Sequence, residues 1–300
     1  MKTKTTTSTK IKKQDYYCFG DNFINILESL KEQKKTFDVQ ITGYTTVVKT
    51  ERQNIFICEK PNSKKILIAY SKINSDIIKS KYIFPIVDRN KINYYLLKND
   101  FRNLKITDEL FFDEIVNIDI SGAYAQAMYN LNIISDATFE YLKTVDKVTR
   151  LKAVGMIAAS KNVFHYEDGK YISDEIIRDE KKRNIFFLLC KKIGDLMTAV
   201  ADELEDSFLF FWVDGIYFTD KNKIQNVINI FGENNYSCRV ELLNNFSARK
   251  KQEDENSEII KIKFNKEDKE KNFSIPLHKK NFLNNLNNYL KTEKQNDTCN

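Results

Sequence analysis

A chain of 300 residues with 42% hydrophobic and 12% aromatic residues can bury a substantial core in one large or two small domains, and its 30% charged residues suit a polar surface. The 48 Lys and Arg against 42 Asp and Glu leave a modest +6, compatible with a phosphate-rich partner and equally with the Lys, Asn and Ile richness of an AT-rich genome. No apolar run approaches the roughly 20 residues of a membrane-spanning helix, and 5 scattered Cys with 2 His give no support to a disulfide framework, a zinc cluster or a Ser-His-Asp triad.

Residues 1–15 are rich in Thr and Lys and read as a basic arm without structure of its own; the polar stretch from Met1 to Lys13 carries no secretory signal, so a cytoplasmic protein is expected. Phe23, Ile24, Ile26, Leu27 and Leu30 fall at helical spacing and predict a helix over Asn22 to Lys31. A β-rich region follows, with strands expected over Phe37–Val48, Asn54–Cys58, Lys65–Tyr70, Tyr82–Val87 and Ile92–Leu97, punctuated by turn signals at Pro61-Asn62-Ser63 and Asp88-Arg89-Asn90.

Val116 to Ser121 alternates, with Val116, Ile118 and Ile120 on one side and Asn117, Asp119 and Ser121 on the other; Ser121-Gly122 then offers a cap to a helix opening at Ala123. Asp119 thus ends a strand. Helices are expected over Asp136–Lys143 and Lys147–Ser160, a hairpin over Asn162–Ile172, and a long helix from about Asp174 to Glu205. Lys147, Arg150 and Lys152 on the second of these helices are cations able to meet a phosphate group. Phe208 to Phe218 consists of two apolar runs broken at Asp214-Gly215, the signal of a hairpin with a solvent-open carboxylate at its tip. Two carboxylates on adjacent strands, Asp119 and Asp214, suit a divalent cation, which takes hard oxygen ligands. Beyond them a helix is expected over Lys223–Phe231, a strand over Cys238–Phe246, a charged loop over Ala248–Glu258, a strand over Ile259–Phe264 and a terminal helix over Asn281–Tyr289. His165, inside an expected strand, reads as structural.

Two of these stretches resemble the palm motifs of B-family DNA polymerases, above all the phage and protein-primed type. Asp119-Ile-Ser-Gly-Ala-Tyr124 is similar to the pattern Asp-x-x-Ser-Leu-Tyr-Pro, with Asp and Tyr in register. Phe-Trp-Val-Asp214-Gly-Ile-Tyr is similar to Tyr-Gly-Asp-Thr-Asp-Ser-Ile, with Asp214 on the second aspartate and Trp212 in place of the first. Lys152 and Lys161 fit the ends of the fingers motif, whose middle is replaced by Met156, Ile157, Ala159 and Ser160.

The resemblance implies an α+β fold with a polymerase-like palm over 111–240, containing a short fingers insertion, a β-rich region over 16–110 and a small thumb-like region over 241–300. It implies a DNA polymerase-like nucleotidyltransferase without a proofreading exonuclease, acting on nucleic-acid primer-template and nucleoside triphosphates, with a protein partner or protein primer as a further possibility. Asp119 and Asp214 would be catalytic and would hold Mg2+ or Mn2+ together with Ile120. Tyr124, Gly122, Arg150 and Lys152 would contact the nucleotide, Tyr124 beneath its sugar and Lys152 at the leaving pyrophosphate. Asp-Ile-Ser-Gly-Ala-Tyr also resembles a reverse-transcriptase palm, though Gly215 stands where those enzymes have a second aspartate. The alternative from another class is a degenerate palm serving as a nucleic-acid-binding or assembly module, which Trp212 and the altered fingers motif favour.

Overall fold

The computed structural model describes residues 14–19, 22–42, 45–58, 61–80, 83–254, 257–267 and 269–277. Of the arm expected over 1–15, residues 1–13 lie outside the described residues, as does the expected helix Asn281–Tyr289, while Gln14 and Asp15 belong to a strand rather than to an unstructured arm.

The N-terminal third forms strand β1 (Gln14–Phe19), helix α1 (Asn22–Glu32) and strands β2 (Phe37–Thr42), β3 (Thr45–Thr50) and β4 (Gln53–Cys58). The single strand expected over Phe37–Val48 is therefore a hairpin, β2 pairing antiparallel with β3. Helix α2 (Pro61–Lys79) replaces the strand expected over Lys65–Tyr70. Ile66, Ala69, Ile73 and Ile77 are all buried, which is the i, i+3, i+7 stripe of a helix. Proline at its first position costs no hydrogen bond, since that N–H has no partner within a helix. The segment 83–88 is irregular rather than a strand, and only β5 (Tyr95–Leu97) remains of the strand expected at Ile92–Leu97.

A short helix, α3 (Asn99–Arg102), leads into β6 (Glu109–Ile120), which carries the first motif. Three helices follow: α4 (Ala123–Asn130), α5 (Asp136–Thr144) and α6 (Lys147–Gly155). Ser135 caps α5 by accepting from the Thr138 amide, and Asp146 caps α6 by accepting from the Thr149 amide. Strands β7 (Lys161–Glu167) and β8 (Lys170–Ile177) form the expected hairpin, which extends to Ile177, so helix α7 (Glu180–Leu204) starts at the Asp179 cap rather than at about Asp174 as expected. The second motif lies on β9 (Phe208–Trp212) and β10 (Gly215–Phe218), followed by α8 (Ile224–Glu233). Strand β11 (Cys238–Asp254) runs through the segment expected as a charged loop and pairs with β12 (Ser257–Lys266), which pairs with β13 (Lys269–Pro276).

Two sheets result. One is six-stranded in the order β1-β4-β3-β2-β7-β8, antiparallel except for the β1–β4 pair. The other is seven-stranded and antiparallel throughout, in the order β13-β12-β11-β6-β10-β9-β5. The mixed α+β class is as expected. The divisions at 110 and 240 do not follow the sheets: β7 and β8 complete the N-terminal sheet, and β11 to β13 extend the sheet of β6 rather than forming a separate thumb-like body.

Val116, Ile118 and Ile120 of β6 are fully buried in a core shared with α4, α6, α7 and α8. A second core gathers Phe101, Phe210, Leu243, Phe246 and Ile262 around the outer strands. Each such side chain taken from water contributes about 1.5–3 kcal/mol, so the strand ends that carry the two motifs are firmly anchored. Helix α7 lies very close to the segment before β5: a Cβ at Gly194 would fall 2.1 Å from the Asn93 carbonyl oxygen, so only glycine permits the approach.

Candidate active site

The register of the seven-stranded sheet brings the two motifs together. Gly215 pairs with Asp119 across β10 and β6, and the Ile120 amide donates to the Asp214 carbonyl at 2.9 Å. The hairpin differs from expectation by one residue. Its tip is Val213-Asp214, while Gly215 is the first residue of β10, paired with Trp212. Val213 adopts φ 55° and its amide donates to the Tyr94 carbonyl at 2.8 Å. A left-handed β-branched residue is strained, and this hydrogen bond helps hold it. Asp214 is therefore held more firmly, and in a more enclosed position, than a solvent-open tip would be.

Both carboxylates line one cleft of about 230 Å³, with Ile120, Gly122, Tyr124, Lys147, Arg150 and Arg239 among its walls. Burial pushes the Asp214 carboxyl up to about 6, and the charge of Asp119 adds to the effect while Lys147 opposes it. Asp119 is raised for the same first reason; Lys147 and Arg239 draw it back down. Two partly buried carboxylates lining one cleft make a site that favours a proton or a cation.

The structure distributes the remaining candidates unequally. Gly122 caps α4 at φ 66°, and the Arg150 Nε lies 3.4 Å from where a Cβ would stand, so the guanidinium covers the glycine backbone. Arg150 also donates through Nη1 to the carbonyls of Leu142 (3.1 Å) and Val145 (3.3 Å), which ties it to the α5–α6 corner as well as to the cleft. Lys152 does not line the cleft. Lys147, Arg150, Leu151 and Val154 occupy the cleft-facing stripe at i, i+3, i+4 and i+7 of α6, and Lys152 falls beside it, about 100° round from Leu151. Exposed Lys147, not Lys152, lines the cleft.

Tyr124 forms part of the cleft wall, its ring stacked on Phe186 at 6.0 Å and 9°. Burial and a hydrogen bond with Cys190 push its phenol well above the usual range, so the hydroxyl belongs to the core. Ile120 contributes backbone to the cleft while its side chain is buried in the core below. Trp212, on the first aspartate of the later motif, packs beside Tyr95 and Phe273 at centroid separations of 5.7 and 6.3 Å.

Arg239 is the residue that sequence reasoning missed. It pairs with Asp119 across β11 and β6, with Nη2 3.7 Å from Asp119 Oδ2 and Nε 2.8 Å from Glu241 Oε1. Lys266 closes the chain of charges on Glu241 at 2.6 Å. Only strand register, which no local pattern specifies, sets Arg239 opposite Asp119.

Among the described residues there is no group of three or more His, Cys, Asp or Glu side chains able to hold a metal, so a cation here would rest on Asp119, Asp214 and oxygen atoms of other kinds. Among the same residues no helix is long and apolar enough to cross a membrane. Comparison with protein-family models, with curated proteins and with solved structures gives no match for the chain.

Proposed function

We propose that the chain is a polymerase-palm nucleotidyltransferase that adds nucleotides to a nucleic-acid primer, with Asp119 and Asp214 as the carboxylates that hold Mg2+ or Mn2+. The observation that carries the reading is the convergence of these two carboxylates, from neighbouring strands, in one cleft rimmed by Lys147, Arg150 and Arg239. Phosphoryl transfer asks little covalent chemistry of a protein, so positioning and charge neutralisation suffice. Bound magnesium would neutralise triphosphate charge and ease deprotonation of the primer hydroxyl. Lys147, whose charge already acts on both carboxylates, is placed to meet a triphosphate entering the same cleft. Arg150 covers Gly122 and fixes the α5–α6 corner, so its part is to shape the phosphate side of the cleft. The Tyr124 ring, immobilised on Phe186, offers a flat wall against which a sugar can pack.

The test is extension of primed DNA and RNA templates by the full chain with magnesium or manganese. Wild type should incorporate nucleotides and Asp214→Asn should reduce this by at least about a thousandfold, a loss of transition-state stabilisation near 4 kcal/mol. Extension by Asp214→Asn equal to wild type removes the active-site assignment. A second reading, a palm retained as a binding module, is favoured by one observation: Asp119 already has a protein cation, Arg239, within 3.7 Å. Under that reading the chain binds primer-template without extending it under any metal.

A further inference from the structure

We infer that Asn117 supplies a further oxygen ligand to the cation at Asp119, and that residue 215 is glycine because the cation and its ligands occupy the space a methyl group would fill. The inference rests on the cation-binding reading of the site given above.

Asn117 is only 7% exposed, and its Oδ1 is buried without a hydrogen-bond partner. Buried amide oxygens are normally satisfied, so an orphan of this kind calls for an unseen partner. Its surroundings say what kind. Asn117 precedes Asp119 by two residues on β6, so both side chains leave the same face of the strand. A Cβ built on Gly215 would stand 3.4 Å from Asn117 Oδ1 and 3.5 Å from Asp119 Oδ1, so the two acceptor oxygens border one small gap. The third neighbour of that point is the Tyr217 ring at 3.6 Å, which offers no donor there. Two acceptors bordering one gap are best satisfied by something electropositive within it, and a hard divalent cation accepts amide oxygens as well as carboxylates.

Gly215 adds an independent argument. It lies in strand β10 and is not among the residues of positive φ, so its backbone would suit any L residue. The distances of 3.4–3.6 Å around its missing Cβ are ordinary contacts, so packing of the fold does not demand glycine either. What a methyl group would fill is the gap between the two oxygens. An amide here also adds a ligand without adding a third negative charge beside the two carboxylates.

The test is manganese binding by the full chain without nucleotide, read from the loss of the free-ion electron paramagnetic resonance signal. Wild type is compared with Asn117→Ala, Asn117→Asp, Gly215→Ala and Asp119→Asn, each first checked for an unchanged circular dichroism spectrum. Asn117→Ala and Gly215→Ala should each weaken binding by at least about tenfold, and Asn117→Asp, which keeps an oxygen in place, should bind as well as wild type or better. If Asn117→Ala does not fold, Gly215→Ala and Asn117→Asp decide. Wild-type affinity in Gly215→Ala and Asn117→Ala, with loss in Asp119→Asn, overturns the inference and leaves the cation site standing on its carboxylates. No manganese uptake by wild type overturns the cation reading, and this inference with it.

Discussion

The two sheets are built to different depths. Around β6, β9 and β10, Phe210, Phe211, Phe218, Ile115 and Ile118 are fully buried, with core on either side. In the six-stranded sheet the corresponding core is Phe37, Val39 and Val48, covered by Phe23, Leu27 and Leu30 of α1, and β8 is exposed along its whole length. The ionisable groups follow this division. On the deep sheet, burial raises Asp214 to about 6. On the shallow one, His165 sits between Asp38 at 2.8 Å and Glu175 at 3.4 Å, still in contact with water. A carboxylate can be strongly perturbed only where the surrounding core is thick enough to keep water out, which is why the candidate chemistry is on one sheet and a solvated ionic clasp on the other.

The largest expected effect tests the depths directly. Phe210→Ala should destabilise the chain by about 4 kcal/mol and Val39→Ala by about 2 kcal/mol or less, measured by urea denaturation followed by circular dichroism. Equal losses would break the comparison.

The next effect concerns the charge on the deep sheet. Because the folded Asp214 carboxyl titrates near 6, above its ordinary value of about 4, the folded state holds the proton more tightly than the unfolded chain does. Its contribution is therefore least unfavourable at low pH, and stability falls as pH rises from about 4 through 6. In chelator at pH 8, Asp214→Asn should be more stable than wild type by on the order of 2 kcal/mol, with the gap closing as pH falls from about 6 to about 4. A variant that gains stability while losing nucleotide transfer would mark Asp214 as maintained for function. A gap that does not change with pH would mean that Asp214 is not buried as described.

The smallest effect belongs to the shallow sheet. Hydrogen bonding to Asp38 raises His165 above its ordinary value. The clasp is therefore complete below about pH 6.5 and is lost as pH rises through the folded value. Amide protection in β7 and β8, corrected for intrinsic exchange, should fall over that rise, and His165→Ala should remove the dependence without affecting β6 or β10. Protection independent of pH in wild type would show that the clasp holds nothing.

The deep sheet was also the more legible from sequence. The alternation of Val116, Ile118 and Ile120 with Asn117 and Asp119 appears on the two faces of β6, and the 3.6-residue period of α7 appears as its buried stripe. Where the reading failed, the physical signal was ambiguous or non-local. Ile66 to Tyr70 is an apolar run short enough to suit either period, and it took the helical one. The segment from Ala248 to Asp254 is charged enough to hide its alternation, in which Ala248 is buried and Arg249 exposed. The turn tip moved to Val213-Asp214 because a valine took a backbone conformation that its side chain disfavours. Asp119 and Asp214 could be named from local pattern, but Arg239 required the register of β11, and the role inferred for Asn117 required the gap beside Gly215.

The placement of β7 has a consequence for how the chain reaches its native state. Phe37 of β2 pairs with Tyr166 of β7, so the N-terminal sheet lacks one of its inner strands until β6 and the three helices after it have been traversed. Pairing between such distant segments must meet the entropy of closing a long loop before any contact rewards it, which slows folding. During synthesis, β2 would present an unpaired edge from the time it emerges until β7 follows, the interval in which a nascent chain is most open to mispairing with another strand. Refolding of the six-stranded sheet is therefore expected to depend on the segment between the two strands.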